Sequence, residues 1–229
     1  MKKIHILFAV LILVLSACKK DDSPLLRSVM VGEDPSLFAY SGKINYTLEK
    51  PIGIKKSYNI DIDNNGFDDI SFSIENYNNP ITISQKITIK PLSESVYISF
   101  QNVDNVMCKS SNLSGDTTWY EDYDSTKTYD SIVYIYNDHN IHPMIYSERD
   151  RIGVNDDFSN ETTDIAYIYY LENTIENYDI KYEKWLGKKN KYIGVKIVNK
   201  NYTYLGWIKL DIVDYNKVKL YDYYLRLMD

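Results

Sequence analysis

YNIDIDNNGFDDISFSI, residues 58–74, contains two runs in which apolar and polar residues alternate, separated by a polar segment. Alternation with a period of two places the apolar side chains of a run on one face of a β-strand. The stretch therefore predicts two strands joined by a loop, each with one face toward a hydrophobic core. The two apolar faces are Tyr58, Ile60 and Ile62, then Ile70, Phe72 and Ile74.

Similar alternation recurs along the chain, which holds 23 tyrosines and only 6 prolines in 229 residues. Ile165 to Leu171 is apolar at successive positions, which indicates a strand covered on both faces. No sustained helical period follows the first 17 residues. The chain is therefore predicted to be all-β, an antiparallel β-sandwich for which a jelly roll is one wiring. The further predicted strands are Ile81–Ile89, Val96–Phe100, Ile132–Tyr136, Tyr192–Val198, Tyr202–Val213 and Val218–Leu227.

A bacterial lipoprotein signal is predicted at the amino end. Lys2 and Lys3 precede an apolar run, Ile4 to Leu15, that would span about 18 Å as a helix. A bilayer core is about 30 Å thick, so a cleaved signal is favoured over a membrane-spanning helix. Small residues stand directly before Cys18, as lipoprotein signal peptidase requires. Cys18 is therefore the predicted lipidation site and first mature residue, and its acyl chains, palmitate among them, would anchor the protein to a membrane.

The residues after Cys18 predict the destination. Lys19-Lys20-Asp21-Asp22-Ser23 lacks the aspartate directly after the cysteine that retains enterobacterial lipoproteins in the inner membrane, so the outer membrane is predicted. This basic-then-acidic tether also resembles a Bacteroidetes signal for export to the cell surface, while a plain solvated linker is the alternative. The predicted organisation is a signal peptide at 1–17, a lipidated cysteine and tether at 18–35, and a β-sandwich domain at 36–229 with a polar excursion at 102–130.

The charge balance argues against a nucleic-acid partner. The chain has 26 basic and 32 acidic residues, and loss of the signal would leave a formal charge of about −8. A protein that binds phosphate backbones needs a basic patch, and the sequence has no such cluster. Cys108 is the only cysteine besides Cys18, so no disulfide within the mature chain is expected, and a structural role for Cys108 is favoured over a catalytic one.

Residues 61–69 read D-x-D-x-N-G-x-x-D, the spacing of a calcium-binding loop. Calcium takes roughly six to eight oxygen ligands, and Gly66 would allow the sharp turn between them. Phe72 stands where an EF-hand would have its bidentate glutamate, so paired helices are excluded. A plain Asn-Gly hairpin turn is the alternative, but four crowded aspartates favour a cation. The predicted structural calcium ligands are side-chain oxygens of Asp61, Asp63, Asn65 and Asp69 and the carbonyl of Phe67.

Two segments near the carboxyl end carry a family resemblance. Lys191 to Ile197 and Tyr204 to Leu210 resemble the paired closing strands of exported bacterial β-sandwich lipoproteins of the Bacteroidetes type. There a Y-[IV]-G-[LVF] strand leads into a Y-G-W-[IV]-[KR]-[LV] strand, which reads Y-x-G-W-[IV]-[KR] in this chain, and a final strand follows, as Lys217 to Leu227 does here. The loop at 61–69 resembles the calcium loops of FG-GAP/VCBS and thrombospondin type 3 repeats. The resemblance covers roughly residues 40–229, with Leu205 as a departure. It implies the fold and an exported location, and the family's function is uncharacterised.

The sequence assigns no catalytic residue. A serine nucleophile elbow, a phosphate-binding glycine loop, a zinc-protease helix and a dinucleotide fingerprint are all missing from it. Trp207, on the face opposite Ile208, is interpreted either as a platform for a sugar ring or as a cover for the second sheet. His139 and His142 have metal-like spacing but lack a third ligand nearby, so a surface turn is favoured.

Two functions remain open. The first is a surface or outer-membrane lipoprotein that acts as a non-enzymatic binding or structural module of the envelope, stabilised by calcium, with an extracellular glycan or an envelope protein as partner. The second is a glycan-active envelope hydrolase on a jelly-roll scaffold, with acids from residues 102–130. An exposed aromatic platform would favour the first, and a cleft with two facing acids, one with a raised pKa, would favour the second.

Overall fold

The computed structural model describes residues 27–33, 39–50, 55–78, 82–102, 106–109, 133–136, 141–172 and 177–228. The predicted signal peptide, the lipidation site Cys18 and most of the polar excursion at 102–130 lie outside these ranges. Throughout the described chain the regular elements are strands. No helix in this part of the protein has the length and apolar character that a membrane crossing requires.

Two antiparallel sheets form the body of the domain, which confirms the predicted all-β antiparallel sandwich. The larger sheet has the order β11-β6-β14-β15-β16-β2, with β9 added along β6. Its strands are β2 (Tyr40–Glu49), β6 (Val96–Asn102), β9 (Ile141–Pro143), β11 (Phe158–Ser159), β14 (Lys191–Val198), β15 (Thr203–Asp214) and β16 (Lys217–Met228).

The smaller sheet has the order β13-β12-β5-β4-β3. Its strands are β3 (Lys55–Ile60), β4 (Ile70–Asn78), β5 (Thr82–Pro91), β12 (Thr163–Glu172) and β13 (Asn177–Tyr182). Two short ribbons complete the described fold. They are β1 (Ser28–Met30) with β10 (Arg151–Gly153), and β7 (Val106–Lys109) with β8 (Val133–Tyr136).

The main hydrophobic core lies between the two sheets. Phe72 and Ile74 on β4 and Ile208 and Leu210 on β15 belong to one cluster of buried side chains and are fully inaccessible to solvent. Trp185, in the turn between β13 and β14, fills the same core and donates its indole N–H to the carbonyl of Pro143 at 3.0 Å. The alternation of apolar and polar residues in 58–74 therefore correctly predicted which side chains face the core.

A second hydrophobic cluster covers the outer face of the larger sheet. Val29 and Ile152, from the β1–β10 ribbon, pack over Tyr192, Leu205 and Trp207. Leu205 and Trp207 alternate with the core-facing residues of β15, so the strand is apolar on both faces. β1 lies within the range 18–35 that the sequence assigned to the anchor and tether, and it forms part of this cluster.

Candidate functional site

The nine residues 61–69, here called the aspartate loop, join β3 to β4. The ladder between these strands ends at the pair Ile60–Ile70, and the N–H of Asp69 donates to the carbonyl of Ile60 at 2.8 Å. A two-residue Asn-Gly hairpin would continue the ladder much closer to Gly66. The alternative of a plain hairpin turn is therefore wrong, because the chain makes a wide loop there.

Three of the predicted ligands come together in the aspartate loop. Carboxylate oxygens of Asp61, Asp63 and Asp69 all lie within 4.8 Å of one another. The backbone needs positive φ angles to bring them there, 56° at Asn64 and 90° at Gly66. Glycine adopts such angles without strain and asparagine tolerates them, so both residues suit this turn.

Backbone N–H groups hold the three carboxylates in place. Asp61 accepts from Gly66 at 2.8 Å and from Asn65 at 3.1 Å, and Asp63 also accepts from Asn65 at 3.1 Å. Asp69 accepts from Ile62 at 2.9 Å and from Asp63 at 3.3 Å. An ionised carboxylate offers about four lone-pair directions, so these bonds leave oxygen lone pairs that can coordinate a cation.

The other acidic and amide groups of the loop take different positions. The side-chain oxygen of Asn65, a predicted ligand, accepts from the N–H of Phe67 at 2.8 Å. Phe67, whose carbonyl is the remaining predicted ligand, has a side chain that is 78% exposed. Asp68 lies outside the group of three and accepts from the side-chain amide of Asn59 at 3.0 Å.

Burial makes Asp69 the most perturbed acid of the loop. The side chain is only 4% exposed. Burial raises its pKa from 3.8 to about 6, the N–H of Ile62 opposes the shift, and the charge of Asp63 adds to it. A divalent cation among the three carboxylates would reverse this balance, because it would favour the ionised form.

Trp207 and His142 are both buried in this fold. Trp207 is 3% exposed, with the ring of Tyr192 edge-on at 4.9 Å and the ring of Tyr224 at 4.4 Å. It lies in the hydrophobic cluster on the outer face of the larger sheet, with Val29 and Ile152 of the β1–β10 ribbon, rather than over the smaller sheet. His142 lies on β9 and is 1% exposed, so the surface turn expected there is wrong. Its Nδ1–H donates to the carbonyl of Asp164 at 2.8 Å, and its ring stacks on Tyr182 at 3.6 Å.

A cavity of about 240 Å³, here called the outer-face cavity, lies beside Trp207 on the outer face of the larger sheet. It joins parts of the chain that are far apart in sequence. Its lining is Gly32, Glu33, Glu148, Tyr192, Trp207, Lys209, Asp222 and Tyr224.

A β-bulge brings Asp222 to this cavity. Lys209 pairs with Asp222 and the next residue, Leu210, pairs with Leu220, so Tyr221 is an extra residue on β16. Leu220 and Tyr223 both belong to the main core. They are three residues apart, and in a regular strand such residues lie on opposite faces. Without the extra residue, Asp222 would face the core as Leu220 does.

The charged groups of the outer-face cavity are partly balanced. Burial raises the pKa of Asp222, and the charges of Lys209 and Lys43 oppose the rise. Glu33 lies 3.6 Å from the guanidinium of Arg226 and accepts from the N–H of Met30 at 3.1 Å. The cavity therefore combines fixed donors and fixed acceptors with little net charge at its inner wall.

Sequence reasoning missed this cavity as a site. Glu33, Glu148 and Asp222 belong to no motif, and the sheet and its covering ribbon bring them together. One signal was present in the sequence: the apolar alternation Val218, Leu220 changes phase before Leu225, which is what a bulge produces.

No family model, no curated protein and no solved structure matches this chain.

Proposed function

We propose that this protein is a lipid-anchored module of the bacterial outer membrane, exposed at the cell surface, that binds an extracellular partner without catalysing a reaction. A calcium ion in the aspartate loop stabilises its β-sandwich. The partner is a glycan or another envelope component, and the acidic charge argues against nucleic acid.

The convergence of Asp61, Asp63 and Asp69 is the observation that carries the calcium part of this proposal. Three carboxylates of like charge within 4.8 Å repel one another unless a cation or protons intervene. Oxygen donors of this kind match the ligand preference of calcium. The loop lies directly above the core residues Ile62 and Ile70, so bound calcium would stabilise the hairpin that supplies them.

The location rests on the amino-terminal sequence. Lys2 and Lys3, a short apolar run and a cysteine after two small residues form the lipoprotein pattern. The binding role rests on the shape of the domain, because the sandwich leaves an aromatic-lined cavity on its outer face. The hydrolase hypothesis drew its acids from residues 102–130, most of which lie outside the described chain.

Thermal unfolding of the purified protein tests the calcium site. With saturating calcium we expect the midpoint to rise by about 5–10 °C relative to calcium-free buffer. At a calcium concentration of about 100 times Kd, linkage supplies about 2.7 kcal/mol. Each kcal/mol moves the midpoint of a domain this size by about 2–4 °C.

Asp63→Ala is the matched variant for this measurement. It removes one carboxylate of the three, yet costs the metal-free loop only one hydrogen bond, from the N–H of Asn65. We expect the calcium response to disappear while the calcium-free midpoint changes little. If wild type and variant respond equally, or if neither responds, the proposed calcium site is wrong.

Replacing Cys18 with alanine tests the anchor. We expect the wild-type protein to incorporate labelled palmitate and to sediment with outer membranes, since several acyl chains anchor a protein stably. The Cys18→Ala variant should incorporate none and leave the outer-membrane fraction. A variant that remains in that fraction after a high-salt wash would show that something other than lipid on Cys18 holds the protein there.

A further inference from the structure

We propose that the outer-face cavity binds a single neutral saccharide ring. This inference deepens the proposed binding function and rests on it. The cavity lies on the larger sheet, beneath the turn that follows β1, and is remote in sequence from the aspartate loop. Its rim includes Gly32 and Glu148, which are exposed, so a ligand can enter from solvent.

Asp222 supplies the strongest reason to place a polar ligand in this cavity. Its Oδ1 atom is buried, and no donor in the described part of the chain makes a hydrogen bond to it. A buried acceptor left without a partner costs about 1–3 kcal/mol, so natural proteins keep few of them. The bulge at Tyr221 turns this carboxylate away from the core and into the cavity wall. Rotation of the carboxylate would bring this oxygen to the cavity, where a ligand hydroxyl that donates to it would complete its hydrogen bonding.

The charge balance favours a neutral ligand over an ionic one. The positive charge of Lys209 acts on the Asp222 carboxylate, and the Glu33 carboxylate forms a salt bridge with Arg226. A charged ligand would have to compete with these pairs and lose its hydration, which costs several kcal/mol for an ion. A hydroxyl group can accept from the Lys209 ammonium and donate to Asp222, so adjacent hydroxyls of a sugar fit both groups.

The remaining wall is aromatic. Trp207 packs against both Tyr192 and Tyr224, and all three line the cavity, although Trp207 and Tyr192 are only 3% and 4% exposed. Aromatic side chains that carry a polar atom suit ligands with an apolar face and a polar rim, as a pyranose has. The volume of about 240 Å³ is below the roughly 300–1,000 Å³ of sites for drug-sized ligands. One ring therefore fits better than several.

The turn after β1, which contains Gly32 and Glu33, packs closely over the cavity. Gly32 has φ of 77°, and a Cβ at this position would lie 3.0 Å from Cγ of Glu148. The Glu33 carboxylate is held from two sides, by the Met30 N–H and by Arg226. The rim is therefore fixed before a ligand arrives, and preorganisation of this kind lowers the entropic cost of binding.

Titration of the purified protein with neutral methyl glycosides tests the inference. The panel covers the epimers at each ring hydroxyl and the N-acetylated forms, and binding is followed by calorimetry and by intrinsic tryptophan fluorescence, to which Trp207 contributes. We expect saturable binding of at least one glycoside. Asp222→Asn should weaken it at least tenfold, because a hydrogen bond to a charged group contributes more than one to a neutral group.

Asp157→Asn is the matched control. Asp157 is exposed and lines a different cavity, with Phe100 and Met144, so the same chemical change there should leave saccharide affinity unaltered. If Asp222→Asn does not fold, Lys209→Gln replaces it in the test. This variant removes the ammonium that would donate to the ligand, and we expect it to weaken saccharide binding as well.

Three results would overturn the inference: no glycoside binds, binding is indifferent to both Asp222→Asn and Lys209→Gln, or methylammonium binds in the cavity where glycosides do not. The calcium response of the same preparation separates the two proposals. A protein that calcium stabilises but that binds no glycoside refutes the cavity assignment and leaves the calcium part of the proposed function intact.

Discussion

Replacing Gly206 with alanine is expected to prevent the domain from folding. Gly206 lies in the middle of β15, paired with Val195 on one side and Leu225 on the other. An added Cβ would overlap the carbonyl oxygen of Tyr224 and lie 2.7 Å from its carbonyl carbon. Real Cβ atoms do not approach backbone this closely, so β15 and β16 would have to separate.

The expected loss is more than about 4 kcal/mol, a large share of the roughly 5–15 kcal/mol that stabilises a typical domain. The contact is with backbone, so no change of rotamer relieves it. Each strand of this pair has 12 residues, and β15 contributes to both hydrophobic clusters. Separation there would therefore disturb the main core and the outer-face cluster together.

Near-ultraviolet circular dichroism and calorimetry measure this outcome directly. Gly206→Ala should show no cooperative thermal transition. Gly187→Asn is the control, because Gly187 has φ of 68° and open space around its Cβ position. Asparagine tolerates that conformation, so we expect a cost of at most about 1 kcal/mol. A Gly206→Ala protein that melts within a few degrees of wild type would contradict the packing described for β15.

The long strands could be predicted because burial on one face leaves a period of two in the sequence. β4, β14, β15 and β16 were predicted to within a few residues for this reason. β10 and β11 have only three and two residues, too few for any period to be recognised. β2 was missed for another reason. It is an edge strand whose inward residues Tyr40, Ile44 and Tyr46 are only partly buried, and although its sequence alternates regularly the strand was not recognised.

The sequence predicted that Ile165–Leu171 forms a strand buried on both faces, and the structure shows this for only part of the strand. Ile165, Ala166 and Tyr167 are successive buried residues, so both faces are covered there. Tyr169, two residues after the buried Tyr167 and on the same face of the strand, is 38% exposed, so solvent reaches that face there. Tyrosine carries apolar area and a polar hydroxyl, and its presence in a strand therefore does not say which environment it occupies.

The aspartate loop could be located from sequence because its groups are local. Asp61, Asp63 and Asp69 lie within nine residues, and their spacing alone suggested convergence. The outer-face cavity could not be located in this way, because its lining runs from Gly32 to Tyr224. Its geometry also depends on a bulge and on a covering ribbon, which are tertiary features that a single sequence does not specify.

Asp69→Asn is expected to abolish the calcium response without destabilising the metal-free protein. The asparagine oxygen can still accept from the N–H of Ile62, so the loop keeps that hydrogen bond. The substitution removes a charge that is buried beside two other carboxylates. In calcium-free buffer near neutral pH the variant should therefore unfold at or above the wild-type midpoint.

The pH dependence of wild type should change sign with calcium. Without calcium the folded-state pKa of Asp69 is about 6, above its ordinary value of 3.8, so the folded state binds the proton more tightly. Its contribution to stability then increases as pH falls from about 7 through 6 toward 4. With calcium the loop must be ionised to bind the metal, so stability should decrease over the same range.

Thermal midpoints at several pH values, with and without calcium, separate these effects from the other titrating groups. The difference between wild type and Asp69→Asn isolates Asp69. Asp68→Asn is the control, since Asp68 bonds to Asn59 outside the cluster and its loss should leave the calcium response in place. Stabilisation of Asp69→Asn by calcium to the wild-type extent would contradict the coordination proposed here. A metal-free wild type that loses stability steadily as pH falls from 7 to 5, to the same extent as Asp69→Asn, would instead show that Asp69 is not held protonated by burial.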